Sequence, residues 1–252
     1  MKAIILSAGR GERLRPLTDF LPKPMIPVGG KPLLWYNLKL LRKYGVRDVA
    51  INTSYLPEKI RSYFGDGSDL EMRIRYSYED SLLGTSGALN NFRQFFGDEP
   101  FFVIYGDNLT DLNLGEMQRY HADKSALVTI FLQKEEMPDA KTTPGAVIIA
   151  PSGKIEKIIE RPDEREKKEL QGVSPDLKFN NSGIYLAEPK LLDYVPRNEK
   201  SDFAMEIFPK MLARGESLYG YTEECFFREL GSMKRYLHTV DEINKGLLKI
   251  EL

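Results

Sequence analysis

Residues Lys2 to Ser7, KAIILS, form an unbroken apolar run that leads straight into the glycine-rich segment AGRGERLRP. A short continuous apolar run of this kind predicts a strand buried on both faces, and such strands belong to parallel sheets covered by helices. The pattern continues downstream. Lys31 to Tyr44 has helical spacing, with Leu34, Leu38 and Leu41 on one face and Gly45 placed as a C-cap. Asp48 to Thr53 reads as a strand, Pro57 to Phe64 as a short helix stopped by Gly65, and Met72 to Tyr78 as a strand. Ser86 to Phe96 reads as a helix and Phe101 to Tyr105 as another buried strand, ending at Gly106-Asp107. Strand and helix thus alternate through residues 1–110, which places the chain in the α/β class.

The second half changes character. Ala126 to Leu132, Ala146 to Ile149, Lys154 to Ile159 and Phe179 to Leu186 are predicted strands, with a turn at Pro151-Ser152-Gly153. Asp163 to Leu170 is a charged run suited to an exposed loop or a short helix, and Asp202 to Ala213 and Ser232 to Leu248 read as helices. With 252 residues, 42% of them hydrophobic, the chain carries a full core, and residues 1–252 are expected to form a single domain. Lys plus Arg number 36 against 37 Asp plus Glu, so no basic excess points to a nucleic acid polymer. The single cysteine, Cys225, excludes an intrachain disulfide and fits a cytoplasmic setting. The opening apolar run is too short for a signal peptide, and no apolar stretch approaches the ~20 residues that cross a bilayer, so no membrane is expected.

Leu6-Ser7-Ala8-Gly9-Arg10-Gly11-Glu12-Arg13 is the strongest local signal. Glycines directly after a strand permit positive φ and let backbone N–H groups approach an anion, and Arg13 adds a forked cation suited to phosphate. Lys23 stands between Pro22 and Pro24, which restrict the backbone that aims its ammonium. A glycine-rich turn after a strand is also often only a turn, and an isolated lysine is usually solvated. A dinucleotide fingerprint needs a third glycine where Leu14 stands, and the Gly-Lys-Ser/Thr of a P-loop is absent.

LSAGRGERLRPLT followed by LPKPMIPVGGKPLL resembles the paired signature of the sugar-phosphate nucleotidyltransferases, in particular mannose-1-phosphate guanylyltransferase-like members. The resemblance spans nearly the whole chain and weakens after residue 190. It implies a Rossmann-like three-layer α/β/α nucleotidyltransferase fold with a predominantly parallel mixed central sheet. Residues 1–110 would be the nucleotide-binding half and 111–252 the sugar-phosphate-binding half, without a C-terminal β-helix domain. Leu6, Ala8, Gly9, Gly11, Arg13 and Lys23 would bind the nucleotide, with Arg13, Lys23 and Asp107 catalytic. Glu79, Gly84 and Thr85 lie in a stretch resembling the family's base-recognition segment; uridylyl- and thymidylyl-specific relatives carry glutamine where Glu79 stands. A carboxylate only accepts hydrogen bonds, and guanine presents two adjacent donors where uracil and thymine present one flanked by acceptors, so GTP is the preferred nucleotide. Read without the resemblance, Glu79 is an exposed acid at a strand end.

Asp107, at the carboxyl end of a buried strand, corresponds to the family's first Mg2+ ligand. Asp111 reads instead as a turn or helix-cap residue. The second ligand is an aspartate in the family pattern, and this chain has Glu229 there, in Phe227-Arg228-Glu229-Leu230-Gly231. The extra methylene shifts the carboxylate by about 1 Å, and magnesium is demanding of geometry. Either Glu229 coordinates, directly or through water, or the local backbone compensates for the extra methylene, or the chain is an impaired, regulatory homologue. Glu160-Arg161-Pro162 stands where the family has Glu-Lys-Pro, and Asn181 and Gly183 match its Asn-x-Gly-Ile-Tyr strand. The resemblance places all four on the sugar phosphate; an ordinary surface ion pair is the other reading of Glu160 and Arg161. His121 and His238 are too few and too far apart for a metal cluster. The implied reaction joins an NTP to a sugar 1-phosphate. Other bases and phosphates remain open, and the sequence is compatible with a homo-oligomer.

Overall fold

The computed structural model describes residues 1–134, 145–248 and 250. In chain order the strands are β1 (Lys2–Leu6), β2 (Pro27–Val28), β3 (Lys31–Pro32), β4 (Asp48–Thr53), β5 (Arg73–Tyr78), β6 (Phe101–Tyr105), β7 (Asn108–Thr110), β8 (Val128–Gln133), β9 (Ala146–Ile149), β10 (Ile155–Ile159), β11 (Lys178–Ala187), β12 (Leu218–Tyr221) and β13 (Phe227–Glu229). The α-helices are α1 (Leu33–Lys43), α2 (Pro57–Phe64), α3 (Gly84–Gly87), α4 (Arg93–Phe96), α5 (Leu114–Asp123), α6 (Glu164–Gln171), α7 (Phe208–Ala213) and α8 (Met233–Asn244). This is the Rossmann-like α/β class with mixed strand directions. Two compact units are formed, one from Met1–Leu82, Asn91–Gly115 and Glu223–Leu252, the other from Leu83–Asn90 and Glu116–Thr222. No helix among the described residues is long and apolar enough to cross a membrane.

The first unit is built on parallel strands in the order β6-β1-β4-β5. Ile4 pairs with Ala50 on one side and Val103 on the other, and all three are fully buried, as the unbroken apolar run required. Between β2 and β3, Gly29 and Gly30 both have left-handed φ, 52° and 83°, which a tight hairpin of the primed type demands. Because Lys31 and Pro32 are used in that hairpin, α1 begins at Leu33. The last segment of the chain returns to this unit because β13 pairs antiparallel with β7, with Glu229 opposite Asn108. Each of these strands has three residues, too short for a periodicity to announce them.

The second unit orders its strands β10-β9-β11-β8-β12, antiparallel except for β12 beside β8. The β11–β8 register slips between Asn181 and Tyr185, and Gly183 within that bulge has φ 70°. Three helical readings are refined. Ser86 to Phe96 is broken into α3, a 3-10 stretch at Ala88–Phe92 and α4; Phe92, at φ −129°, leaves helical geometry. Asp202 to Ala213 opens as a π-turn over Phe203–Ile207, where Pro209 lacks the N–H that would hold an α-helical ladder. Asp163 to Leu170 is helix α6, started by a capping box in which Asp163 and Glu166 exchange side-chain and backbone hydrogen bonds. Asp111 is not a helix cap: its carboxylate accepts from Phe226 N at 2.8 Å, and Asn113 accepts from the Gly115 N–H of α5 instead.

Candidate active site

Leu6 ends β1 beside Asn52 and Tyr105, so the glycine loop leaves the carboxyl end of a central strand, where open α/β sheets bind ligands. The Ser7 N–H donates to Asn52 Oδ1 (2.8 Å) and the Asn52 amide donates to Glu79 Oε1 (2.8 Å), and all three residues are buried. Glu79 is therefore not an exposed strand-end acid; it braces the root of the loop. Ala8 is buried as well. Gly11 has φ 67°, and a Cβ there would stand 3.0 Å from both Lys23 Cβ and Thr18 Cγ2. Its carbonyl accepts from the Thr18 hydroxyl at 2.8 Å, so the loop is drawn against Lys23. Gly9 is different: its φ is not left-handed, and an added Cβ would meet nothing within 4 Å. The fold alone does not require glycine at that position.

One apolar cluster carries the charged residues. Leu14, Ile26, Leu109 and Leu230 are all fully buried in it. Each lies within three residues of one expected site residue: Arg13, Lys23, Asp107 and Glu229 respectively. The Gly106 N–H donates to Leu6 O (2.9 Å), and a Cβ on Gly106 would lie 2.8 Å from that oxygen, so Asp107 is seated at the root of the loop. Leu230 N in turn donates to Asp107 O at 2.9 Å. The consequence is two ion pairs. The Lys23 ammonium is bonded to the Asp107 carboxylate, with both side chains largely buried. Glu229 Oε1 lies 3.8 Å from Arg13 Nη2, and its Oε2 accepts from Arg235 Nη1 at 2.6 Å. A cavity of about 930 Å3 also opens in this unit, lined by Arg10, Tyr55, Tyr63, Tyr78 and Asp80 among others. None of Arg13, Lys23, Asp107 and Glu229 lines it; their charged ends turn to one another.

A family model described as "Nucleotidyl transferase" matches residues 2–246. The chain belongs to the nucleotidyl transferase family. Among curated relatives, a UTP–glucose-1-phosphate uridylyltransferase from Synechocystis sp. is 34% identical, covering 100% of this chain and 64% of that one. A mannose-1-phosphate guanylyltransferase from Mycobacterium tuberculosis is 29% identical, covering 97% of this chain and 65% of that one. The chain thus spans somewhat under two thirds of the length of these relatives. Among solved structures, a UDP-glucose pyrophosphorylase complexed with UDP-glucose superposes with a TM-score of 0.78 at 19% identity, covering 97% of this chain and 98% of that one, which establishes the shared fold.

In the second unit, Gly84 and Thr85 are held by local structure. Gly84 has φ 79°, and a Cβ there would come within 2.3 Å of Ser201 O. The Thr85 hydroxyl donates to Asp202 Oδ2 (2.8 Å) and accepts from Phe203 N (2.9 Å). Glu160 and Arg161 are exposed just after β10, and Arg161 has a left-handed φ of 53°, unusual for a non-glycine residue and often found where a site imposes it. Gly145 makes room beside them: a Cβ there would lie 2.6 Å from Ile159 O and 3.0 Å from Glu160 Oε2. Asn181 spans the bulge, accepting from Gly183 N (3.0 Å) and donating to the Tyr185 hydroxyl (2.9 Å).

Two residues that the motifs did not single out emerge here. Asn52 carried a signal, since a polar residue closing a buried apolar strand must find partners. Arg235 carried none, because its contact with Glu229 exists only after the chain turns from β13 into α8.

Proposed function

We propose that this protein transfers a nucleotidyl group from an NTP to a sugar 1-phosphate, releasing pyrophosphate. The observation that carries the reading is the convergence of Arg13, Lys23, Asp107 and Glu229 on one apolar cluster beside the glycine loop. A phosphate monoester with a second pKa of roughly 6 is largely dianionic at neutral pH and needs no general base. Its oxygen attacks the α-phosphorus; the new P–O bond forms as the bond to the β-phosphate oxygen breaks and pyrophosphate departs. Arg13 and Lys23 hold the triphosphate oxygens and offset the charge that shifts onto the leaving group. In the second unit, Glu160, Asn181 and Gly183 are assigned to the sugar and Arg161 to its phosphate.

Asp107 and Glu229 would hold Mg2+. Asp107 already stabilises one cation, the Lys23 ammonium, and the β7–β13 ladder brings Glu229 alongside its neighbour Asn108. Asp107 and Glu229 both offer carboxylate oxygens, the donor type that magnesium prefers, and water and triphosphate oxygens would complete the set. When bound, the ion would neutralise triphosphate charge.

For the base, the 29% identity to a mannose-1-phosphate guanylyltransferase favours GTP, and Glu79, buried on Asn52, would act on the base only through the root of the loop that it braces. The 34% identity to a uridylyltransferase favours UTP with glucose 1-phosphate as the second reading. Pyrophosphate release from GTP and UTP, each with mannose 1-phosphate and glucose 1-phosphate, with Mg2+ and with EDTA, decides between them. Turnover led by GTP supports the first reading, and turnover led by UTP the second. No release from any pairing, with nucleotide binding retained, would leave a nucleotide-binding homologue without transfer activity.

A further inference from the structure

Each carboxylate expected to hold the divalent ion is engaged by a cation expected to hold phosphate. Asp107 is bonded to Lys23, and Glu229 lies against Arg13. Resting on the nucleotidyl-transfer reading above, we propose that these pairs neutralise the site internally, and that metal ion and triphosphate enter together by exchanging partners with it. Lys23 and Arg13 pass from carboxylate to phosphate, and Asp107 and Glu229 pass from side-chain cation to metal.

The burial of the first pair drives the argument. The Lys23 and Asp107 side chains are only 15% and 16% exposed, and separating a largely desolvated pair leaves each charge uncompensated at substantial cost. A metal ion arriving alone would face the ammonium that already occupies Asp107. A triphosphate arriving alone would take Lys23 and leave Asp107 bare beside a polyanion. When both arrive, every charge finds an opposite partner, so each ligand strengthens the binding of the other by the same factor.

The second pair is built differently. Arg13 is 73% exposed and its contact is long at 3.8 Å, whereas Glu229 is also held by Arg235 at 2.6 Å. The Glu229 carboxylate folds over Gly231, where a Cβ would come within 2.1 Å of Oε1. Arg13 can therefore leave without stranding Glu229, and Arg235 acts as the positioning residue that keeps the longer acid in place. The exchange is costly at Lys23–Asp107 and cheap at Arg13–Glu229.

The test is Mn2+ binding followed by electron paramagnetic resonance, with no nucleotide and no sugar phosphate present. Lys23→Met, which removes the competing cation, is expected to bind Mn2+ about tenfold more tightly than the native chain, and Arg13→Met only slightly more tightly. The converse arm measures GTP and UTP binding in EDTA: Asp107→Asn, which releases Lys23, is expected to bind nucleotide more tightly than the native chain. Circular dichroism melts establish that each variant is folded, and Lys23→Gln and Asp107→Ala serve if a first choice is not. Unchanged or weaker Mn2+ binding in the lysine variant, together with unchanged or weaker nucleotide binding in the aspartate variant, overturns the exchange. Failure of the native chain to bind either nucleotide even with Mn2+ would instead sink the nucleotidyl-transfer reading itself.

Discussion

In the first unit the charged residues of the site hold one another; in the second, Asn181, expected on the sugar phosphate, and Thr85, expected on the nucleotide, are held by close neighbours in their own unit. Lys23 and Arg13 engage Asp107 and Glu229 across segments far apart in the chain. Asn181, by contrast, spans a bulge between Gly183 and Tyr185, and Thr85 is clasped by Asp202 and Phe203. Removing a residue of the first kind takes away charge that reaction would use. Removing one of the second kind first disturbs a local shape and only through it a ligand.

The sharpest break of that contrast is kinetic. Lys23→Ala should lower turnover by roughly 10²-fold or more, because a preorganised cation acts chiefly in the transition state. Asn181→Ala should instead raise KM for the sugar phosphate by about tenfold with a smaller change in kcat. Steady-state kinetics with both variants tests this, and a larger kcat loss at Asn181 would reverse the comparison. Next in size is a pair of glycines. Gly84→Ala forces a left-handed residue against the Ser201 carbonyl and should cost about 2–4 kcal/mol in urea unfolding. Gly9→Ala meets no neighbour and should change stability by less than about 0.5 kcal/mol while weakening nucleotide binding.

The smallest expected effect lies in the second unit. His121 is buried with Nδ1 2.8 Å from Thr129 Oγ1 and Nε2 3.4 Å from Glu188 Oε1. Burial lowers its pKa below the ordinary 6.5, and the nearby Glu188 carboxylate opposes that shift only partly. The unfolded chain then binds a proton that the folded chain resists, so this contribution to stability is present above pH 6.5 and is lost as the pH falls below it. Thermal melts from pH 8 to pH 5.5 should show the decline, and His121→Gln should flatten it. An unchanged slope in the variant would assign the decline to other groups.

Much of this was legible in one dimension. The unbroken apolar run at Lys2 to Ser7 required a central strand, and the glycines after it marked a turn, which the structure forms with Gly11 at φ 67°. The Gly29-Gly30 hairpin and the Gly183 bulge emerged only with strand pairing, whereas positive φ at Gly11 is, like that strand, a place where local geometry dictates the residue type. These follow from the sequence because strand burial and backbone torsion are short-range, decided by neighbours within a few residues. What only the tertiary structure decided is which charges meet. β7 and β13 are three residues each and lie more than a hundred positions apart, so nothing local announces that Glu229 will stand opposite Asn108 or be held by Arg235. Nor could the sequence tell that Glu79 would be buried on Asn52 or that Asp107 would rest on Lys23. Coulomb energy and desolvation depend on distance through space, and that distance exists only once the apolar cluster of Leu14, Ile26, Leu109 and Leu230 has closed.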